Sequence, residues 1–282
     1  MLLCGIDVGT SSIKLSIVDA STKKVIHTCS FPETENEIIS VSPGFAEQNP
    51  EHWWYCVMQV IKMANATKKY NPFEISAIGI SYQMHGLVIL DKDKQVLRPS
   101  IIWCDSRAAN IGDQAFEALG KEKILNNLLN SPGNFTASKL AWVKENEPLV
   151  YNQIEHVLLP GDYISYKFTN ELTTTISALS EGIFWDFNKN EISKELLDYY
   201  HFEISLFPEI KQVFENHGQI SSSVATELGL SANLKITYKA GDQPNNALSL
   251  GVVEPGEIAT TAGTSGVIYG ISSELKYDPN CR

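Results

Sequence analysis

The chain has 282 residues, 43% hydrophobic and 20% charged, a composition that excludes wholesale disorder and suits one large domain or two ordinary ones. A formal charge of -11 argues against nucleic acid or an anionic membrane as the main partner, yet allows a nucleotide whose phosphates are neutralised locally by a metal ion and backbone amides. Five scattered cysteines with no Cys-x-x-Cys pair, no signal peptide and no apolar run of membrane-spanning length together predict reduced thiols and a cytoplasmic location.

The first eighteen residues read as strand, tight loop, strand. Leu2 to Ile6 is a short apolar run, and Ile13, Leu15 and Ile17 alternate with other residues in a second strand. The loop Asp7-Val8-Gly9-Thr10-Ser11-Ser12 joins a carboxylate, a glycine and three hydroxyls. Such a turn suits an anion held on backbone N–H groups with a cation at the carboxylate; an ordinary polar hairpin turn fits equally well. Lys24 to Phe31 reads as a third strand ended by Pro32, and Glu33 to Ala46 as a long loop. Asn49-Pro50 starts a helix whose Trp53, Val57, Val60, Ile61 and Ala64 share one face and should pack on a sheet.

Ile75 to Ser81 and Leu87 to Leu90 read as a strand pair, with Gln83-Met84-His85-Gly86 placed between them at a sheet edge. Pro99 to Trp103 returns towards the same region, and Cys104-Asp105-Ser106-Arg107 follows; Asp105 and Arg107 read as a surface pair of small energy. Residues 108 to 156 read as mainly helical, His156 to Pro160 as a short strand, Gly161 to Phe168 as a helix, and Thr169 to Ile183 as loop with strand character. Helices over Ser193 to His201 and Ser222 to Leu228 follow, then a strand over Leu234 to Tyr238 and a turn at Ala240 to Pro244 into a helix through Gly251. Consecutive strands followed by alternation predict an α/β fold with a mixed central sheet flanked by helices. Val253 to Gly256 is the best boundary, dividing a domain of residues 1–252 from the start of a second at 253–282.

The opening loop has an echo. Thr261-Ala262-Gly263-Thr264-Ser265-Gly266-Val267 repeats Gly-Thr-Ser between two strands, and two such loops facing each other suit a polyphosphate. No Walker loop, Gly-x-Gly-x-x-Gly, Gly-x-Ser-x-Gly or metal-ligand histidine spacing occurs. Asp242, between a strand and a helix, taken alone reads as an N-cap; paired with Asp7 and the two loops it reads better as the base of a phosphoryl transfer.

Together, Gly5-Ile6-Asp7-Val8-Gly9-Thr10-Ser11, Gly79-Ile80-Ser81-Tyr82-Gln83-Met84-His85-Gly86, Trp103-Cys104-Asp105-Ser106-Arg107, Leu158-Leu159-Pro160-Gly161-Asp162-Tyr163 and Gly241-Asp242-Gln243 resemble the FGGY carbohydrate kinases, and within them the xylulokinases. The resemblance implies an actin/hexokinase-like (ribonuclease H-like) fold, with D-xylulose and ATP in an interdomain cleft and Mg2+ near Asp7 and Asp242. It makes Asp242 the base, and Met84 and His85, with Gln83, Trp103, Asp105 and Arg107, the candidate sugar contacts. Gly9, Thr10, Ser11 and Lys14 on one side and Gly263 and Thr264 on the other would meet the phosphates. Members run to about twice this length, so the chain is expected to hold the N-terminal domain and to be nearly inactive alone. Gln243-Pro244 departs from the Asn and small residues of many xylulokinases, which leaves the sugar contact beside the base open. Kinases of ribulose, gluconate or glycerol, or a sugar sensor on the same fold, are the alternatives, and a homodimer is compatible.

Overall fold

The apolar alternation of the opening residues becomes the centre of a sheet. In the computed structural model, which describes residues 1–262 and 266–280, strand β1 (Leu2–Val8) turns Leu2, Cys4, Ile6 and Val8 into the core. Strand β2 (Ile13–Asp19) pairs with it antiparallel and buries Ile13, Leu15 and Ile17 on the same side. Strand β3 (Lys24–Phe31) extends the hairpin, while β4 (Ile75–Tyr82) and β5 (Lys235–Gly241) run parallel to β1. The strand order is β5-β4-β1-β2-β3, the mixed sheet expected from the sequence pattern.

The helix Pro50–Ala66 covers the apolar face. The Asn49 side chain accepts the Glu51 N–H, and proline occupies the first turn, where its missing N–H costs nothing. Trp53, Val57, Val60, Ile61 and Ala64 are all buried against the sheet. Truncating Trp53 to alanine would cost about 3–5 kcal/mol. The helix Pro160–Thr169 joins the same core through Tyr163, Ile164 and Phe168. A second core lies beside the first. It is built from Leu87, Ile89, Phe116, Leu140, Leu179, Phe184 and their neighbours, largely from the helical stretch after residue 108.

Three local expectations change. The strand Val88–Leu90 does not pair with β4 but with His156–Leu158, and β4 lies inside the sheet between β1 and β5. Gln83-Met84-His85 therefore leaves the carboxyl end of an interior strand, not a sheet edge. Residues 169 to 183 contain a helix, Ile176–Glu181, capped when Thr175 Oγ1 accepts the Ala178 N–H; a threonine-rich approach masked a helix that tertiary packing stabilises. The last sheet strand reaches Gly241, and its helix runs over Asp242–Ser249, ending two residues before Gly251. Ile258–Ala262 and Gly266–Gly270 form the expected second hairpin. Its turn residues Gly263, Thr264 and Ser265 lie outside the described residues.

Candidate active site

Three parallel strands, β1, β4 and β5, bring their carboxyl ends to one edge of the sheet, the place where open α/β sheets present ligand sites. The register sets Asp7 beside Ser81, and Tyr82 beside both Val8 and Gly241. The loop after β1 is tight: a Cβ on Gly9 would stand 2.9 Å from the Ser12 carbonyl oxygen, so glycine alone fits without a shift. At the end of β5, Gly241 occupies the cap position and Asp242 is the first helical residue. Asp242 is therefore not the N-cap residue, and its carboxylate accepts from the Gln243 N–H in the first turn. A cleft of about 320 Å³ opens here, lined by Thr10, Met84, His85, Trp103, Asp242, Gln243 and Val267.

His85 has a left-handed backbone, φ 62°, unusual for a residue with a side chain. Its Nδ1 lies 2.9 Å from the Glu181 carbonyl oxygen. A carbonyl can only accept, so Nδ1 carries the proton and Nε2 is left with a lone pair. Burial lowers the His85 pKa to about 4, and the nearby Lys139 ammonium works in the same direction. His85 is thus a neutral imidazole offering an acceptor. Met84 packs against Gly241, where a Cβ would meet Met84 Cγ at 2.5 Å and Glu181 Oε2 at 2.7 Å.

The Asp242 carboxyl is raised above the usual aspartate range, first by burial and then by the charge of Asp7. Asp7 pairs with Lys14 at 3.5 Å, and both line a neighbouring hollow of about 310 Å³ with Gly5, Ser81 and Tyr238. Two carboxylates that repel each other across the strand ends suit a divalent cation, and Mg2+ takes one or two protein carboxylates together with water and phosphate oxygens. Among the described residues no cluster of three or more histidine, cysteine or acidic side chains competes as a metal site.

Thr10 is held from three sides. Its hydroxyl accepts from Trp103 Nε1 at 2.9 Å and donates to Gln83 Oε1 at 3.1 Å, and its carbonyl accepts from Gln48 Nε2 at 2.9 Å. Gln83 Nε2 and Trp53 Nε1 both donate to Gln48 Oε1 at 3.0 Å. Gln83 is therefore buried behind the loop and orients Thr10, outside the cleft lining. Trp103 is 50% exposed, so core packing does not explain it. Ser11 faces solvent at the loop tip, where its carbonyl accepts the Asn36 N–H.

Asp105 and Arg107 are not a surface pair. Asp105 is 0% exposed and the Arg107 side chain 1%. The Asp105 carboxylate accepts from the backbone N–H of Ala46 at 2.6 Å and from Arg107 Nε at 2.9 Å. Arg107 also meets Glu47 at 2.7 Å and lies 3.7 Å above the centre of the Phe45 ring. Both side chains fasten the Phe45–Glu47 segment to the loop after Trp103, and neither lines the cleft.

Three residues near the cleft carried no sequence signal. Gln48 stands in an unremarkable polar loop, Lys139 in an amphipathic-looking helix, and Glu181 in a serine-rich stretch. The Glu181 carboxyl is buried beside Tyr82 and the His85 backbone, and burial raises its pKa well above the usual glutamate value.

Comparison with known proteins agrees with this arrangement. Residues 2–249 match the N-terminal domain of the FGGY family of carbohydrate kinases. A xylulose kinase of Haemophilus influenzae is 31% identical over 280 residues, covering 96% of this chain and 56% of its own length. A solved xylulose kinase from Rhodospirillum rubrum superposes with a TM-score of 0.91 at 26% identity over 99% of this chain and 57% of that one. A gluconate kinase from Lactobacillus acidophilus does so with a TM-score of 0.86, also at 26% identity, over 95% of this chain and 53% of that one. The chain thus spans little more than half the length of the relatives it matches, and its neighbours share the actin/hexokinase-like fold. With strand order, cleft and sequence match in agreement, the chain belongs to the FGGY family of carbohydrate kinases.

Proposed function

We propose that this chain supplies the sugar site and the catalytic base of an ATP-dependent kinase that converts D-xylulose to D-xylulose 5-phosphate. The observation that carries the reading is the single cleft holding Asp242, neutral His85, Met84, Thr10 and Trp103 at the carboxyl ends of three parallel strands. Since the chain covers 56% of the Haemophilus relative, the activity is proposed for a protein of that full length. Residues 1–252 form its sugar-side domain and 253–282 the start of the next. Four described thiols, Cys4, Cys29, Cys56 and Cys104, are free, which fits a cytoplasmic location.

Each residue has a physical task in this reading. His85 Nε2 accepts a hydrogen bond from a sugar hydroxyl, while Met84 and Trp103 present apolar surface to the carbon skeleton. Asp242 takes the proton of the C5 hydroxyl as that oxygen bonds to the γ-phosphorus; the bond to the bridging oxygen breaks and ADP departs with its electrons. Burial raises the Asp242 pKa, which makes it a stronger base than a solvated aspartate. Asp7 and Asp242 are the carboxylates for Mg2+, which when bound neutralises phosphate charge. Gly9, Thr10, Ser11 and Lys14 form the near phosphate side, and the repeated Gly-Thr-Ser sequence assigns Gly263 and Thr264 to the other.

Calorimetric titration of the chain with D-xylulose, D-ribulose, gluconate and glycerol tests the substrate, and D-xylulose is expected to bind tightest. Another sugar binding more tightly overturns the choice. Coupled ADP release should be near background for the chain alone and substantial for the full-length protein. Sugar binding without turnover at full length would favour a sensor.

A further inference from the structure

Lys139 lies on the helix Thr136–Asn146 and is fully buried. A buried ammonium is costly unless its donors are used, and here they are spent on two main-chain carbonyls. Nζ donates to the His85 oxygen at 2.8 Å and to the Ile102 oxygen at 3.0 Å. These carbonyls belong to different loops. One is that of His85 itself, and the other immediately precedes Trp103; both residues line the cleft. The Asp105 carboxylate is the chief opposing charge, but its oxygens are already engaged by Arg107 and the Ala46 N–H.

We propose that Lys139 is a positioning residue that sets the sugar site by clamping the His85 turn and the Trp103 loop through a single ammonium. The His85 backbone needs such a clamp. At φ 62° it occupies the left-handed region, which is disfavoured for a residue with a side chain and is steadied by contacts to its peptide. The next residue is equally confined, since a Cβ on Gly86 would stand 2.6 Å from Pro160 Cγ. The clamp aims the His85 carbonyl inward at Nζ, and with the peptide so fixed the ring reaches the Glu181 carbonyl through Nδ1. Nε2 is thereby left as the acceptor. Release of the ammonium frees both turns at once, so the distance and facing of His85 and Trp103 change together. The consequence for sugar binding rests on the kinase reading; the clamp itself does not.

The test uses the whole chain with Lys139→Met, an apolar side chain of similar length. In the folded variant, imidazole ¹⁵N spectra should show His85 losing its single Nδ1–H tautomer for a mixture. D-xylulose affinity by calorimetry should fall about 10- to 100-fold, as expected for a binding group displaced by an ångström. An unchanged His85 tautomer signal together with unchanged affinity, in a variant shown by circular dichroism to be folded, overturns the proposal. If Lys139→Met does not fold, Lys139→Gln serves with the same readouts and the same two outcomes. If D-xylulose binds neither the parent nor the variant, the substrate reading fails, while the imidazole spectra still decide the role of Lys139.

Discussion

Asp105→Asn separates a structural carboxylate from a sugar contact. The substitution removes one oxygen acceptor and the negative charge from a site that is 0% exposed, where the carboxylate receives the Ala46 N–H and the Arg107 guanidinium. Arg107 is left with Glu47 as its remaining carboxylate, and Glu47 is already shared with Arg98. Breaking a buried ion pair on one side costs about 3–5 kcal/mol, because the surviving charge stays desolvated. The amide oxygen of asparagine can keep one of the bonds, so the lower end, about 3 kcal/mol, is expected. At about 2–4 °C per kcal/mol for a domain of this size class, Tm should fall by about 6–12 °C in a thermal scan at pH 7. D-xylulose affinity of the folded variant should stay within about threefold of the parent, since Asp105 does not line the cleft. A Tm within about 2 °C of the parent, with sugar affinity lost, refutes this and makes Asp105 a substrate contact.

The remaining predictions concern the cleft itself. In the full-length protein, Asp242→Asn should lower kcat by about 10²–10⁴-fold while D-xylulose binding persists; near-normal turnover would remove Asp242 from the role of base. Gly241→Ala drives a methyl into Met84 Cγ and Glu181 Oε2, and should cost about 1–3 kcal/mol in urea unfolding and weaken sugar binding; a neutral variant would mean that Met84 is free to move aside. His85 has a folded pKa of about 4, below its ordinary 6.5, so its contribution to stability is fully present above about pH 6.5 and is lost as pH falls towards 4. The loss is on the order of 2–3 kcal/mol, and His85→Gln should flatten the fall of the urea midpoint between pH 7 and 4.5; parallel slopes for parent and variant would contradict a buried neutral imidazole.

Local order was legible in the sequence wherever one segment carried its own signal. The alternation of Ile13, Leu15 and Ile17 marks a strand with one buried face, and Asn49-Pro50 marks a helix start, because both depend only on near neighbours along the chain. The Gly-Thr-Ser loop, the Met84-His85 pair and Asp242 were likewise visible as unusual clusters of chemistry. That Thr10, Met84, His85, Trp103 and Asp242 share one cleft was decided by tertiary structure, which sets β1, β4 and β5 side by side with their ends aligned.

The same distinction explains the misplacements. Asp105 and Arg107 sit two apart in a polar run, a pattern that fits a solvated pair; only the packing of Phe45, Ala46 and Glu47 over them makes the pair buried and structural. Gln83 resembled a sugar contact by its position beside Met84, yet its amide is consumed by Thr10 and Gln48. Lys139 and Glu181 could not have been found locally. They reach His85 across 54 and 96 residues of sequence, and their effect arises from burial and from the alignment of backbone carbonyls, which no short stretch encodes. The opening loop and Asp242 were therefore determined by sequence as chemistry, whereas long-range packing decided which groups meet them and which nitrogen of His85 carries its proton.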